Sequence, residues 1–528
     1  MQKVNDIVIV GGGSSGWMTA AALTQTFPEL NITLIESPNT PTIGVGESTI
    51  LSINEFMRTV NLKDKDWMPA CKATYKVSID FTNFDGQGTR FRYPFGHSTY
   101  LGKYQAIDWF VKKALTGVGD KTEYSDFALG HSQMIKANKL IGRDRNIPNW
   151  NFDTMTAYHF DATLFGHYLR DNRCEGLNHI RDDVLIVNKN EEGISGLVTS
   201  SHGELKADLY IDCSGFKSML LEEAMGVSFI SFSEKLLNDK AVACHIPYVD
   251  KNVEMEHSTN ATTLNAGWSW NIPLWESIGT GYVYSSQYLS EDEAEQEFRE
   301  YLINDRDVPH SREEIENIQM HHVPMRPGIH DKGWVKNVCA VGLANGFIEP
   351  LESTGLMLTH HSIFALIEAL QMRGCRVNGF DKSIFNTKVK HMMSKFSGFI
   401  AGHYAFAERD DTPYWKEVTE NIDYLRNGNS PLWNFLTRVA GDIATLNSWN
   451  DVTDFDGTPH IMAGMGMNVV TKHAMEEHYQ EKLTDEHDDF GKSFELQSDI
   501  DKYVKEQSEY VKSLPTHYEF LRDNVYNE

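Results

Sequence analysis

The chain has 528 residues, 41% of them hydrophobic and 11% aromatic, and carries 48 Lys plus Arg against 74 Asp plus Glu for a formal net charge of −26. That length allows two or three structural units around a large core, and the composition excludes a chiefly disordered state. The acidic balance makes nucleic acid and anionic membrane surfaces poor partners, and no apolar run reaches the roughly 18 residues of a membrane span, so a soluble, cytoplasmic protein is expected.

Cys71, Cys174, Cys213, Cys244, Cys339 and Cys375 contain no Cys-x-x-Cys pair and read as buried thiols in a reducing compartment. The adjacent pairs His321-His322 and His360-His361 diverge in any regular structure, so no metal site is expected.

In chain order, Ile7 to Val10 is an apolar strand, Gly11-x-Gly13-x-x-Gly16 follows at once, and Trp17 to Phe27 reads as a helix. Ile32 to Ile35 is the next strand, closed by Glu36. This spacing is that of a βαβ dinucleotide site. Gly11 makes the tight turn, Gly13 admits the pyrophosphate, Gly16 lets helix and strand approach, and Glu36 faces a ribose. The plainer reading is a glycine-rich turn that opens a helix. Gly44-Val45-Gly46-Glu47-Ser48-Thr49 then precedes a helical stretch from Ile50 to Val60. Such a loop can lie against a flat ligand and offer amide donors, or it can be an ordinary capped loop.

Lys72 to Phe81 alternates as a strand, with Lys72, Thr74, Lys76 and Ser78 on one face that is expected to be solvated. Asn83 to Gly88 is a turn and Thr89 to Phe95 its partner strand. Trp109 to Ala114 and Tyr158 to Arg170 read as helices, with His159 and His167 as surface or packing residues. Val184 to Val187, Gly196 to Thr199 and Leu205 to Leu209 are short strands, and the strand ending at Ser214-Gly215 permits a second close approach to a dinucleotide.

Trp268 and Trp270 share one strand face and form either a wall or simple sheet packing. Ser290 to Leu302 is an acidic, solvated helix. A strand from Val338 stops at Gly342, where small residues admit a ligand, and Leu356 to Leu370 is a helix. Amides near Ser353, Thr354 and Gly355 point toward an anion site or serve as a plain cap, and Glu352 beside them needs a partner. Beyond about residue 385 the pattern is mainly helical, with Met462, Met465, Met467 and many aromatics as core or substrate lid. Glu477 to Glu528 reads as a charged, solvated appendage.

Taken together, these segments resemble the flavin-dependent tryptophan halogenase family. The glycine fingerprint, Gly44 to Thr49, Tyr75-Lys76, Trp268-x-Trp270-x-Ile272-Pro273, Glu349 to Gly355, His403-Tyr404 and Arg409 to Trp415 carry the resemblance, which runs to about residue 470. It implies an α/β fold, with an FAD-binding βαβ domain of the flavin monooxygenase type over residues 1–385. A mainly helical substrate-lid region and charged appendage then occupies 386–528. It also implies that reduced FAD, supplied by a separate NAD(P)H-dependent flavin reductase, turns oxygen and halide into hypohalous acid, which crosses to a small aromatic substrate. Gly11, Gly13, Gly16, Glu36, Gly44, Gly46, Glu47, Ser48, Thr49 and Gly342 would hold the cofactor. Lys76 and Glu352 would be catalytic, Thr354 and Gly355 would hold the halide, and Trp268 and Trp270 would keep substrate from the flavin.

The substrate half departs from the tryptophan-specific pattern. Tyr93 stands where those enzymes commonly place a histidine, with Phe95 kept for stacking, and Ile443 to Trp449 shows no paired tyrosines or following glutamate. The expected substrate is therefore a larger or less polar indole, phenol or other electron-rich aromatic. An FAD-dependent aromatic hydroxylase and a flavin-binding protein without turnover are the alternatives, and a homo-oligomer is left open.

Overall fold

The computed structural model describes residues 2–40, 46–116, 123–144, 147, 150–407, 409–420, 457–466, 470 and 488–527. Gly44, the Trp433 aromatic cluster, the Ile443 to Trp449 segment and Met467 lie outside them.

A six-stranded sheet runs in the order Trp334–Val335, Val338–Ala340, Leu209–Asp212, Asp6–Val10, Asn31–Glu36, Asn178–Arg181. All its pairs are parallel except the Trp334 edge. Ile7 and Ile9 enter the main core, whereas Val8 and Val10 enter a second cluster on the opposite face. Burial on both faces explains why the strand is an unbroken β-branched run. The helix Ser14–Thr26 covers the main-core face with Trp17, Met18 and Leu23.

The second large sheet has seven strands, in the order His321–Pro324, Lys240–Ile246, Ile278–Tyr284, Gly267–Pro273, Ser258–Leu264, Ser78–Thr82, Arg90–Pro94. Its pairs are antiparallel except that of Ser258–Leu264 with Ser78–Thr82. A small sheet places Ala157–Phe160 between Glu47–Ser48 and Thr74–Lys76.

Three expectations are corrected here. The strand expected from Lys72 to Phe81 breaks at Val77, whose N–H donates to His257 O at 2.8 Å. Thr74–Lys76 joins the small sheet and Ser78–Thr82 the large one. Because both faces of these pieces are covered, Thr74, Lys76 and Ser78 are buried rather than solvated, and only Lys72 reaches the surface, paired with Glu276. Tyr158 to Arg170 is likewise not one helix: Ala157–Phe160 is a strand, and the helix Ala162–Arg173 starts at Asp161, whose side chain accepts from Leu164 N–H. This puts His159 in the interior and leaves His167 exposed.

The C-terminal stretch, within residues 488–527, is docked rather than solvated. Leu496, Ile500, Leu521 and Val525 are buried, and the Tyr526 ring stacks on Trp275 at 3.8 Å. Charge along this segment reports its outer face alone. The helix Gly379–Phe406 runs unbroken through residue 385. All six cysteines are buried and unpaired, and no described helix is long and apolar enough to cross a membrane.

Candidate active site

The glycine turn is tightly packed at Gly11 and Gly16 and open at Gly13. Gly11 has φ +115°, and a Cβ there would lie 2.2 Å from the Cys213 carbonyl oxygen; one at Gly16 would lie 1.9 Å from Gly11 O. Close packing therefore fixes both. At Gly13 a Cβ would meet nothing within 4 Å, and no side chain caps the helix that starts there. Free amides at a helix N-terminus beside open space can receive an anion. Glu36 ends its strand with Oε1 2.8 Å from His179 Nε2. Gly342 stands against Ser15, at the same turn. From the second loop, Gly46 lies beside Ile272 and Leu274, so this loop reaches the two-tryptophan strand. Glu47 and Ser48 form the edge strand of the small sheet, and Thr49 Oγ1 donates to Tyr158 O at 2.8 Å.

Lys76 is fully buried. Its Nζ donates to Ser48 Oγ at 2.9 Å and Ser353 Oγ at 2.8 Å, and stands 5.2 Å from the Phe95 ring centre. Burial pushes its ammonium down to about 7, against the pull of Glu352 and Asp80, which favour the charge. Glu352 sits on the short turn Pro350–Glu352 that precedes the helix Thr354–Gln371. Its Oε1 lies 2.7 Å from His403 Nε2, and His403 Nδ1 lies 2.9 Å from Phe399 O. Lys76 and Glu352 thus meet at one site, both beside Ser353, with no direct ion pair between them. Ser353 has φ +57°, and its side chain makes no cap bond. The first amides of that helix, at Thr354 and Gly355, therefore have no side-chain cap, and Thr354 Oγ1 donates back to Glu349 O at 3.2 Å.

Trp268 and Trp270 are buried with ring centres 6.4 Å apart. Trp268 Nε1 donates to Glu349 Oε1 at 3.1 Å, and the tip of Trp270 lies over Gly281, where a Cβ would be 2.2 Å from the ring. Burial pushes the Glu349 carboxyl up to about 7, opposed by donors from Tyr404, Trp268 and Asn238. The wall is therefore locked to the same turn that carries Glu352. Phe95 is buried, and Tyr93 packs against His460 with ring centres 5.5 Å apart.

His403 and Glu349 were missed as site residues by sequence reasoning. His403 is 51 positions from Glu352, and no local pattern links them. The signal for Glu349 was available, as a second acid three residues before Glu352 in an apolar stretch.

The chain thus combines a glycine βαβ turn with a buried lysine, a nearby buried carboxylate and two buried tryptophans. The tryptophan halogenase family model matches residues 6–479, and the chain belongs to that family. The 7-chloro-L-tryptophan 6-halogenase KtzR of Kutzneria sp. (strain 744) is 37% identical over 430 residues, which are 78% of this chain and 81% of that protein. The tryptophan 7-halogenase RebH of Lentzea aerocolonigenes is 31% identical over 88% of this chain and 90% of its own. The solved apo structure of VirX1 superposes with a TM-score of 0.88 at 39% identity, covering 100% of both chains. The protein is an FADH2-dependent halogenase of aromatic substrates. The open space at Gly13, the uncapped helix end and Glu36 fit the FAD this activity requires.

Proposed function

We propose that Lys76 and Glu352 halogenate an electron-rich aromatic other than free tryptophan. The observation that carries this reading is Lys76 Nζ, fully buried and held by Ser48 and Ser353 beside Glu352 and Phe95. Reduced FAD, supplied by a separate NAD(P)H-dependent reductase, provides hypohalous acid from oxygen and halide. Gly11, Gly13, Gly16, Gly342 and the 44–49 loop would bind the cofactor, and Glu36 would accept from its ribose. The Thr354 and Gly355 amides hold the halide.

The lone pair of the neutral Lys76 amine takes the halogen from hypohalous acid as the oxygen–halogen bond breaks and hydroxide departs. The ring carbon then takes the halogen from that nitrogen as the nitrogen–halogen bond breaks, and Glu352 removes the ring proton and passes it to the hydroxide as water. Trp268 and Trp270 keep the substrate on the Lys76 side. Against free tryptophan stand Tyr93 and the Ile443 to Trp449 composition. In addition, Arg92, adjacent to Tyr93, is already paired with Asp80 and Glu123. A buried amino-acid zwitterion needs unengaged partners of both signs.

The test is mass spectrometry of indole, phenol and free tryptophan panels incubated with FAD, a flavin reductase, NADH, oxygen and chloride or bromide. Wild type should give halogen isotope patterns that Lys76→Ala loses, with free tryptophan among the poorest substrates. Hydroxylated products alone would refute halogenation by this site, and free tryptophan as the best substrate would refute the substrate reading.

A further inference from the structure

Ser48, His159 and Thr74 are direct register partners on the three strands of the small sheet, so their side chains share one face. Thr259, from the large sheet, completes a buried line of polar atoms. Starting at Lys76, Nζ reaches Ser48 Oγ at 2.9 Å; Ser48 Oγ is 2.6 Å from Thr259 Oγ1; Thr259 Oγ1 is 2.8 Å from His159 Nε2; His159 Nδ1 is 3.3 Å from Thr74 Oγ1; and Thr74 Oγ1 is 2.6 Å from Pro273 O.

The direction of every hydrogen in this line follows from its far end. A carbonyl oxygen only accepts, so Thr74 donates to Pro273 O and presents a lone pair to the imidazole. His159 must then carry its hydrogen on Nδ1, which leaves Nε2 to accept from Thr259. Burial keeps the ring neutral, and Lys76, His257 and His517 around it disfavour a second proton, while a hydrogen bond to Pro273 O pulls the other way. Thr259 in turn accepts from Ser48. Ser48 Oγ therefore has only lone pairs left for its other neighbours, and it accepts from Lys76 and from Ser353, which donates to it at 2.9 Å. Ser353, its own hydrogen spent on Ser48, accepts from Lys76.

We infer that this His159–Thr259–Ser48 line is a positioning device that drains hydroxyl hydrogens away from Lys76 and so leaves the lone pair of its neutral amine free for halogen. Both hydrogens of a neutral amine are taken by Ser48 and Ser353, and the lone pair falls in the remaining tetrahedral position. The inference rests on Lys76 being the residue that handles the halogen, but its tests need neither flavin nor halide.

The first is NMR of the flavin-free wild-type protein labelled with 15N-histidine, with His159 assigned by difference against His159→Gln. A neutral ring protonated on Nδ1 is expected; an Nε2–H tautomer or an imidazolium overturns the inference. The second uses Thr259→Val, which keeps shape but removes the outlet, so that a serine hydrogen turns onto the amine. Reductive methylation of Lys76 by formaldehyde and a borane at alkaline pH, read by peptide mass spectrometry, should then slow by about tenfold, the effect of one hydrogen bond. Wild-type labelling rates in the folded variant overturn it, and if that variant does not fold, the wild-type tautomer decides. Loss of halogenation without either change refutes neither measurement and bears on the proposed function alone.

Discussion

His403 Nε2 stands 2.7 Å from Glu352 Oε1, and one hydrogen lies between them. Phe399 O faces His403 Nδ1 at 2.9 Å and can only accept, so the Nδ1 hydrogen is fixed, and the 2.7 Å contact between Nε2 and Glu352 Oε1 needs one more. Glu352 Oε2 is bonded to no described residue, and in the reaction we propose it takes the ring proton of the substrate.

His403→Phe removes the ring bonded to Glu352 Oε1 and leaves Glu352 as an isolated buried acid. We expect kcat to fall about 10- to 100-fold with KM little changed, because the loss is confined to the proton-transfer step. His403→Gln, which keeps a donor, should recover part of it. Steady-state kinetics on both variants check this, and an effect on KM alone would contradict it.

Lys76→Met should abolish halogenation while raising stability. Between about pH 7 and the ordinary lysine value near 10.5, the unfolded chain holds a proton that the folded chain does not, so wild-type stability rises with pH across that window. The methionine variant lacks this slope and escapes the cost of burying a charge. At pH near 7 it should be more stable by about 1–3 kcal/mol, with the gap closing toward alkaline pH. Denaturant unfolding at several pH values measures it; equal stability at neutral pH would show that Lys76 carries no such cost.

The Glu349 carboxyl has the opposite sign. Its folded value, about 7, exceeds its ordinary value of 4.5, so between these limits the folded state holds the extra proton and wild-type stability falls as pH rises. The fall should be roughly 3 kcal/mol across the window. Glu349→Gln should flatten this dependence whatever its absolute stability. Parallel pH curves for the two proteins would locate the titration elsewhere.

The glycine turn separates folding from flavin binding. Gly16→Ala forces a methyl onto Gly11 O and should cost both stability and FAD affinity. Gly13→Ala meets no protein atom, so it should leave the melting temperature unchanged and weaken FAD by about tenfold or more. Thermal unfolding and flavin-fluorescence titration of the two variants distinguish the cases, and normal FAD binding by Gly13→Ala would place the pyrophosphate elsewhere.

What the sequence by itself determined is local in origin. Ile7 to Glu36 announces its strand, turn, helix and strand because each step depends on neighbouring residues: β-branched runs, closely spaced glycines at the turn, and an acid where the strand ends. The two-tryptophan strand and the Glu349 to Gly355 turn were equally plain as segments. Tertiary structure decided what those segments face. Alternation around Lys76 looks the same whether one face meets water or a second sheet, and only the sheet switch at Val77 buries it. His159 read as part of a helix because its apolar neighbours fit either period, and its place opposite Ser48 and Thr74 comes from strand pairing across more than 80 positions. The partnership of Glu352 with His403, and of Trp268 with Glu349, is set by packing between distant elements, which no spacing along the chain encodes.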